Sequence, residues 1–255
     1  MQLVYYRKDY KNSWGDLVGD QIVPLDGDPY GWFDPREEQI FYLADVYKIL
    51  CPCRPSKIVC VGRNYREHAK ELGNEIPAEP LLFLKPSSSV IGPGDVIRCP
   101  PQSERVDYEG ELGVVMKKFC YHMKSDEIKS CILGYTIVND VTARDLQSKD
   151  GQWTRAKGFD TFCPIGPFVN TEFDPLAANI TTRVNGEVRQ QGNTRDLIFP
   201  IDVLISYISQ VMTLFPGDVV STGTPAGIGP LAAGDVVEVE IEGIGILKNP
   251  VEDQK

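Results

Sequence analysis

Three carboxylates alternate along Asp107-Tyr108-Glu109-Gly110-Glu111, and the pair Asn139-Asp140 closes an apolar run further down the chain. Alternate side chains of a strand share a face, so this spacing predicts Asp107, Glu109 and Glu111 on one side of a strand. Like charges placed that way need water or a cation among them. An all-oxygen donor set with room left for substrate suits a hard divalent ion such as Mg²⁺. The competing reading is a solvated outer face, and Glu238, Glu240 and Glu242, alternating with Val237, Val239 and Ile241, fit it well. The first cluster differs because it runs into Gly113-Val114-Val115-Met116. That unbroken apolar stretch suggests a strand buried on both faces, where carboxylates need a compensating charge.

Only two histidines are available as general bases. His122 has no acidic residue at helical spacing before it. His68, in Arg66-Glu67-His68-Ala69-Lys70-Glu71, has Glu71 at i+3. On a helix that pair is either an exposed ion pair or a dyad whose carboxylate fixes the imidazole tautomer and raises its basicity. Asp140, at a strand-to-helix junction, reads first as a helix N-cap, with a functional carboxylate as the alternative. Lys157, beside Gly158 in a mostly uncharged stretch, is either solvated or the partner of a substrate or metal-bound carboxylate. The run Ser221-Thr222-Gly223-Thr224-Pro225-Ala226-Gly227-Ile228-Gly229 lacks the terminal Lys of a P-loop, so its glycines point to close backbone approach to a small ligand.

The elements that must position these residues are mostly strands. Ile58–Gly62 and Leu81–Leu84 read as compact apolar strands, and Arg66–Leu72 as a short helix ended by Gly73. Asn185-Gly186 marks a hairpin. The spacing of Ile201, Leu204, Ile205, Ile208, Val211, Met212 and Phe215 predicts a helix over 202–214 with one buried face. Residues 1–50 read as short strands around Leu3–Tyr6, Leu17–Asp20 and Gln21–Pro24. The linker Cys51-Pro52-Cys53-Arg54-Pro55 divides the chain into a small N-terminal β module, 1–55, and a larger domain, 56–255. Many turns and few helices suggest an α+β domain around a curved or rolled sheet.

Composition narrows the function classes. The 255 residues include 26 basic and 36 acidic ones, a net charge of −10, which argues against nucleic acid or an anionic membrane as partner. An anionic substrate therefore needs a local basic pocket or a metal. No apolar run reaches membrane-span length, and the N-terminus lacks the apolar core of a signal peptide. None of the seven cysteines forms a C-x-x-C pair: Cys51-Pro52-Cys53 lacks the second ligand pair of a zinc site, and Cys60, Cys99, Cys120, Cys131 and Cys163 read as core residues in a reducing cytoplasm.

Taken in order, Val61-Gly62-Arg63-Asn64-Tyr65 with His68, Phe83-Leu84-Lys85-Pro86-Ser87, Asp107 to Leu112, Asn139-Asp140 with Arg144-Asp145, Lys157 to Thr161, and Ser221 to Gly227 resemble the motifs of the fumarylacetoacetate hydrolase family. The resemblance covers residues 56 to 250. It implies a mixed β-roll catalytic domain, a homodimer, and a Mg²⁺ or Mn²⁺ ion held by Glu109, Glu111 and Asp140, with Asp107 behind them. It also implies a substrate pocket lined by Arg63, Arg144, Gln147, Lys157, Thr161 and Thr224, and a His68–Glu71 dyad on a segment that orders over substrate. Larger members differ by a further upstream acidic ligand and another His–Glu pairing.

The implied substrate is a small anionic 2-oxo acid that chelates the metal, so that an enolate is stabilised. Water activated by His68 and Glu71 would give acylpyruvate or fumarylpyruvate hydrolysis. Loss of CO₂ would give oxaloacetate decarboxylation. Hydrolysis or decarboxylation is the leading expectation; the alternative is proton movement alone, which would give a 2-hydroxyhepta-2,4-diene-1,7-dioate isomerase or an oxo-acid tautomerase. A non-catalytic, metal-dependent 2-oxo-acid-binding protein is the reading outside enzymology.

Overall fold

The computed structural model describes residues 1–254. Among these residues, strands gather into sheets of thirteen, five and three strands, with short helices between them. This is the α+β architecture that the turn-rich, strand-rich sequence implies. At the centre of the large sheet, Gly110–Met116 lies between Ile132–Asn139 and Val219–Ser221. All seven of its residues are buried, as its apolar run requires. Val219–Ser221 pairs in parallel with Ile58–Gly62, and Leu81–Lys85 follows at the sheet edge.

The helix over Ile201–Val211 buries Leu204, Ile205 and Ile208, and packs the last two on this sheet with Val114, Met116 and Val220. It ends before residue 214 because Met212 is already extended (φ −153°). The hairpin turn at Asn185-Gly186 joins Asn179–Val184 to Glu187–Asn193, and both turn residues have positive φ (54° and 82°). On the neighbouring strand Val236–Ile241, Val237, Val239 and Ile241 are buried while Glu238 pairs with Lys248 and Glu240 with Arg183. That glutamate series is an outer face.

Near the N-terminus, Gln2–Lys8, Lys11–Val18 and Gln21–Gly27 form an antiparallel meander. The second strand starts earlier than its apolar residues suggest, with Gly19 in the following turn. The meander joins the large sheet where Leu3 pairs with Val169. No described helix is long and apolar enough to cross a membrane.

One local difference matters for the site. Residues 107–111 are not one continuous strand: Val106–Tyr108 belongs to the three-stranded sheet and Gly110–Met116 to the large one. Glu109 sits at the crossing. Gly110 lets the chain pass there, since a Cβ would meet Thr182 Oγ1 at 2.4 Å. Asp107 is thereby separated from the two glutamates.

Candidate active site

Asn139-Asp140 holds the crossing in place. Asn139 Oδ1 accepts from Glu109 N at 3.0 Å, and Asp140 N donates to Glu109 O at 2.8 Å. These contacts bring Glu109, Glu111 and Asp140 together, with one ligand-capable oxygen of each within 4.8 Å of the others. All three are buried. Asp140 is no helix cap, because the following helix Arg144–Asp150 is capped at Ala143.

Burying carboxylates demands partners, and the chain supplies them unevenly. Asp140 Oδ1 accepts from Lys85 Nζ at 2.6 Å and Oδ2 from Lys157 Nζ at 2.5 Å. Glu109 accepts from Lys157 at 2.9 Å and from the Arg144 guanidinium. Asp107 accepts from Arg105 and Arg144, each at 2.9 Å, so it anchors Arg144 from behind. Three carboxylates, Asp107, Glu109 and Asp140, thus share four cations, Lys85, Arg105, Arg144 and Lys157. Glu111 pairs with none of them. Its Oε2 accepts from Ser221 Oγ at 2.5 Å and from Gly223 N at 2.9 Å, and Oε1 has no hydrogen bond among the described residues.

The titration behaviour follows from that asymmetry. Burial would raise Glu109, but the Lys157 and Arg144 charges outweigh it and hold the carboxyl well below its usual range. Burial, followed by the negative charges of Asp140 and Glu109, pushes Glu111 up to about 8. Burial would lower Lys157, yet Asp140 and Glu109 raise it. Lys157 is therefore a fixed ammonium, not a neutral amine.

A divalent cation fits this set: three converging oxygen donors, one of them lacking positive charge and keeping a free oxygen. Glu109, Glu111 and Asp140 would hold it. Both Mg²⁺ and Mn²⁺ suit such donors.

The triad opens into a cavity of about 270 Å³. Arg63, His68, Phe83, Arg144, Gln147, Trp153, Lys157 and Thr224 contribute to its wall. His68 Nδ1 lies 3.2 Å from Glu71 Oε2, which leaves Nε2 as the uncommitted ring nitrogen. Glu71 Oε1 accepts from Gly227 N at 3.0 Å, and Tyr108 Oη donates to Gly227 O at 3.0 Å. The Gly-rich run therefore brings its backbone close to Glu111 and Glu71 through Gly223 and Gly227.

Gln147 Oε1 accepts from Arg144 at 2.6 Å. Thr224 Oγ1 donates to Gly110 O at 2.9 Å and accepts from Gln190 Nε2 at 2.6 Å. Thr161 is not part of the cavity wall; its hydroxyl accepts from Arg98 N at 2.9 Å. His122 is exposed and contacts Gln210. Sequence reasoning gave no role to Lys85 or to Gln190, whose Oε1 accepts from Gly110 N at 3.1 Å and Thr182 Oγ1 at 2.8 Å. The signal for Lys85 was its place inside a quoted motif, while Gln190 carried none.

Residues 57–252 match the model of the fumarylacetoacetate (FAA) hydrolase C-terminal domain. The chain belongs to the fumarylacetoacetate hydrolase family. It is 58% identical over 202 residues to an uncharacterized protein of Methanocaldococcus jannaschii, covering 79% of this chain and 85% of that one. It is 44% identical over 229 residues to the human mitochondrial oxaloacetate tautomerase FAHD2A, covering 85% of this chain and 71% of that one. The crystal structure of 2-hydroxyhepta-2,4-diene-1,7-dioate isomerase from Mycobacterium marinum superimposes with a TM-score of 0.92 at 41% identity, over 100% of this chain and 99% of that one.

Proposed function

We propose that this protein is a divalent-metal-dependent enzyme that moves a proton at the carbon next to the keto group of small 2-oxo acids, interconverting enol and keto forms. The observation that carries the reading is the buried triad in one cavity with His68, one of its carboxylates, Glu111, having no cation partner. When bound there, a divalent cation polarises the keto oxygen and offsets the charge of the enolate.

The chain's own residues do the rest. Glu71 accepts the Nδ1–H of His68 and so fixes the tautomer that leaves Nε2 free to deliver or remove the proton at carbon. The Gly227 amide holds Glu71 in place. Lys157 and Arg144, tied to Glu109, supply fixed positive charge beside the reacting end. Val61, Leu72, Phe83 and Trp153 form the apolar part of the wall. The relatives named for oxaloacetate tautomerisation and dioate isomerisation carry out reactions of this kind, which supports the choice.

A second reading is hydrolysis of acylpyruvates, favoured by the same dyad, because a base that takes a carbon-bound proton can also activate water. Decarboxylation of oxaloacetate needs no such base. An assay of freshly dissolved enol-oxaloacetate with Mg²⁺ separates the three. The expected result is accelerated loss of enol absorbance without CO₂ release, abolished in His68→Ala. Rapid CO₂ release would favour decarboxylation, and cleavage of acylpyruvates without enol turnover would favour hydrolysis.

A further inference from the structure

The cations of the cavity wall are not equivalent. Arg144 is committed to Asp107, Glu109 and Gln147, and Lys157 to Glu109 and Asp140. Arg63 has no ion pair and no side-chain hydrogen bond among the described residues, although it lines the same cavity. Its backbone is left-handed (φ 58°), a conformation that non-glycine residues adopt rarely and at some energetic expense. Both neighbours are closely held. A Cβ on Gly62 would strike Trp153 at 2.8 Å. Asn64, fully buried, bonds Phe199 N, Phe199 O and Thr222 O. The fold thus holds a strained residue that presents an unclaimed guanidinium to the substrate cavity.

Charge accounting gives that guanidinium a task. With Glu111 ionised, the four carboxylates Asp107, Glu109, Glu111 and Asp140 and the four cations around the triad sum to zero. A divalent ion adds two positive charges, which match the carboxylate and the enolate oxygen at the reacting end of a 2-oxo acid. Nothing in that set remains for a second carboxylate. Arg63 supplies the missing charge, and its planar fork suits a carboxylate. The cavity, about 270 Å³, sits at the lower end of small-molecule sites, near ~300 Å³, and so fits a short acid rather than a long one.

We infer that Arg63 is the receptor for the distal carboxylate of the substrate and makes the site selective for short 2-oxo diacids over 2-oxo monoacids. This rests on the function proposed above and names its substrate class. Arg63 takes no part in proton transfer; it fixes the far end of the molecule, so that the reacting carbon meets His68.

Binding, not turnover, gives the test. Three probes are titrated calorimetrically into the Mg²⁺-loaded protein: 3,3-difluorooxaloacetate, a non-enolisable diacid; 2-oxobutyrate, with a methyl group in place of the distal carboxylate; and oxalate, which has only the metal-facing end. The wild type should prefer the diacid over 2-oxobutyrate by about tenfold or more. Arg63→Gln should lose that preference with oxalate affinity unchanged, and Arg63→Lys should recover part of it. Equal wild-type affinity for diacid and monoacid, or no binding of either, overturns the proposal. Parallel loss of oxalate binding in Arg63→Gln also overturns it, since the residue would then serve only the fold. If the preference and its loss are seen but enol-oxaloacetate is not turned over, Arg63 keeps its role and the catalytic reading fails alone.

Discussion

Lys85 and Lys157 divide the carboxylate of Asp140 between them, Lys85 on Oδ1 at 2.6 Å and Lys157 on Oδ2 at 2.5 Å. Both ammonium groups are buried, and they arrive from different elements: Lys85 from a strand end, Lys157 from the short helix Thr154–Gly158. Asp140 is thus positioned before any cation arrives, and its charge is largely spent. Glu111 is the carboxylate that waits for one.

Removing one of those lysines exposes the balance. Lys85→Met leaves Asp140 Oδ1 and the Val141 carbonyl without their donor. Breaking a buried pair in this way costs about 3 kcal/mol at the low end, appropriate because Lys157 remains. For a chain of this size the melting temperature should fall by about 6–12 °C. Mg²⁺ should recover part of the loss, because a cation then takes the place of the missing ammonium. Differential scanning calorimetry with and without Mg²⁺ reads both effects.

The raised Glu111 carboxyl makes stability of the metal-free protein depend on pH in a direction unusual for an acid. Its folded value, about 8, lies above the ordinary 4.5. Across that window the folded state keeps a proton that the unfolded chain has released. Stability should therefore fall as pH rises from about 5 to 8, with a limiting slope of about 1.4 kcal/mol per unit. Glu109, shifted the other way, acts only at lower pH. Thermal denaturation at fixed ionic strength checks the sign, and a rise over this window would contradict it.

Metal binding must displace that proton. Titration of Mg²⁺ at pH 7 in buffers of different ionisation enthalpy should show release of close to one proton per ion. In Glu111→Gln, which cannot release it, the proton signal should vanish and affinity should fall by about tenfold or more.

Gly227 tests the dyad separately from the metal. Its φ is +102°, and a Cβ would lie 2.6 Å from Arg189 O. Gly227→Ala should move the amide that holds Glu71, lowering kcat by about 10- to 100-fold. The Mg²⁺-induced gain in melting temperature should persist, since the triad is untouched. Loss of both would mean that the substitution disrupts the whole cavity.

The carboxylate triad was legible in the sequence because its members lie in short ordered motifs, and because the apolar run after Glu111 separates it from the solvated series at Glu238 to Glu242. The buried strand, the Asn185-Gly186 hairpin and the amphipathic helix were legible by periodicity and turn chemistry. The break at Glu109 was not: alternation of side chains looks the same whether a strand continues or crosses between sheets. Lys85 was hidden for a related reason, since a lone Lys at a strand end gives no sign that it will be buried against Asp140. Gln190 reaches Gly110 across 80 residues of chain, a pairing that only the assembled sheets create. Thr161, grouped with the pocket by resemblance, turns its hydroxyl to Arg98 N instead.

Exchange of the C3 hydrogens of a 2-oxo diacid in D₂O, followed by proton NMR, measures the proposed chemistry most directly. With Mg²⁺, the wild-type protein should accelerate exchange strongly. Removal of Mg²⁺, Glu109→Ala or His68→Ala should each return the rate to that of buffer containing the same ion. Exchange that persists in Glu109→Ala or without a divalent ion would contradict a proton transfer built on the Glu109, Glu111 and Asp140 centre.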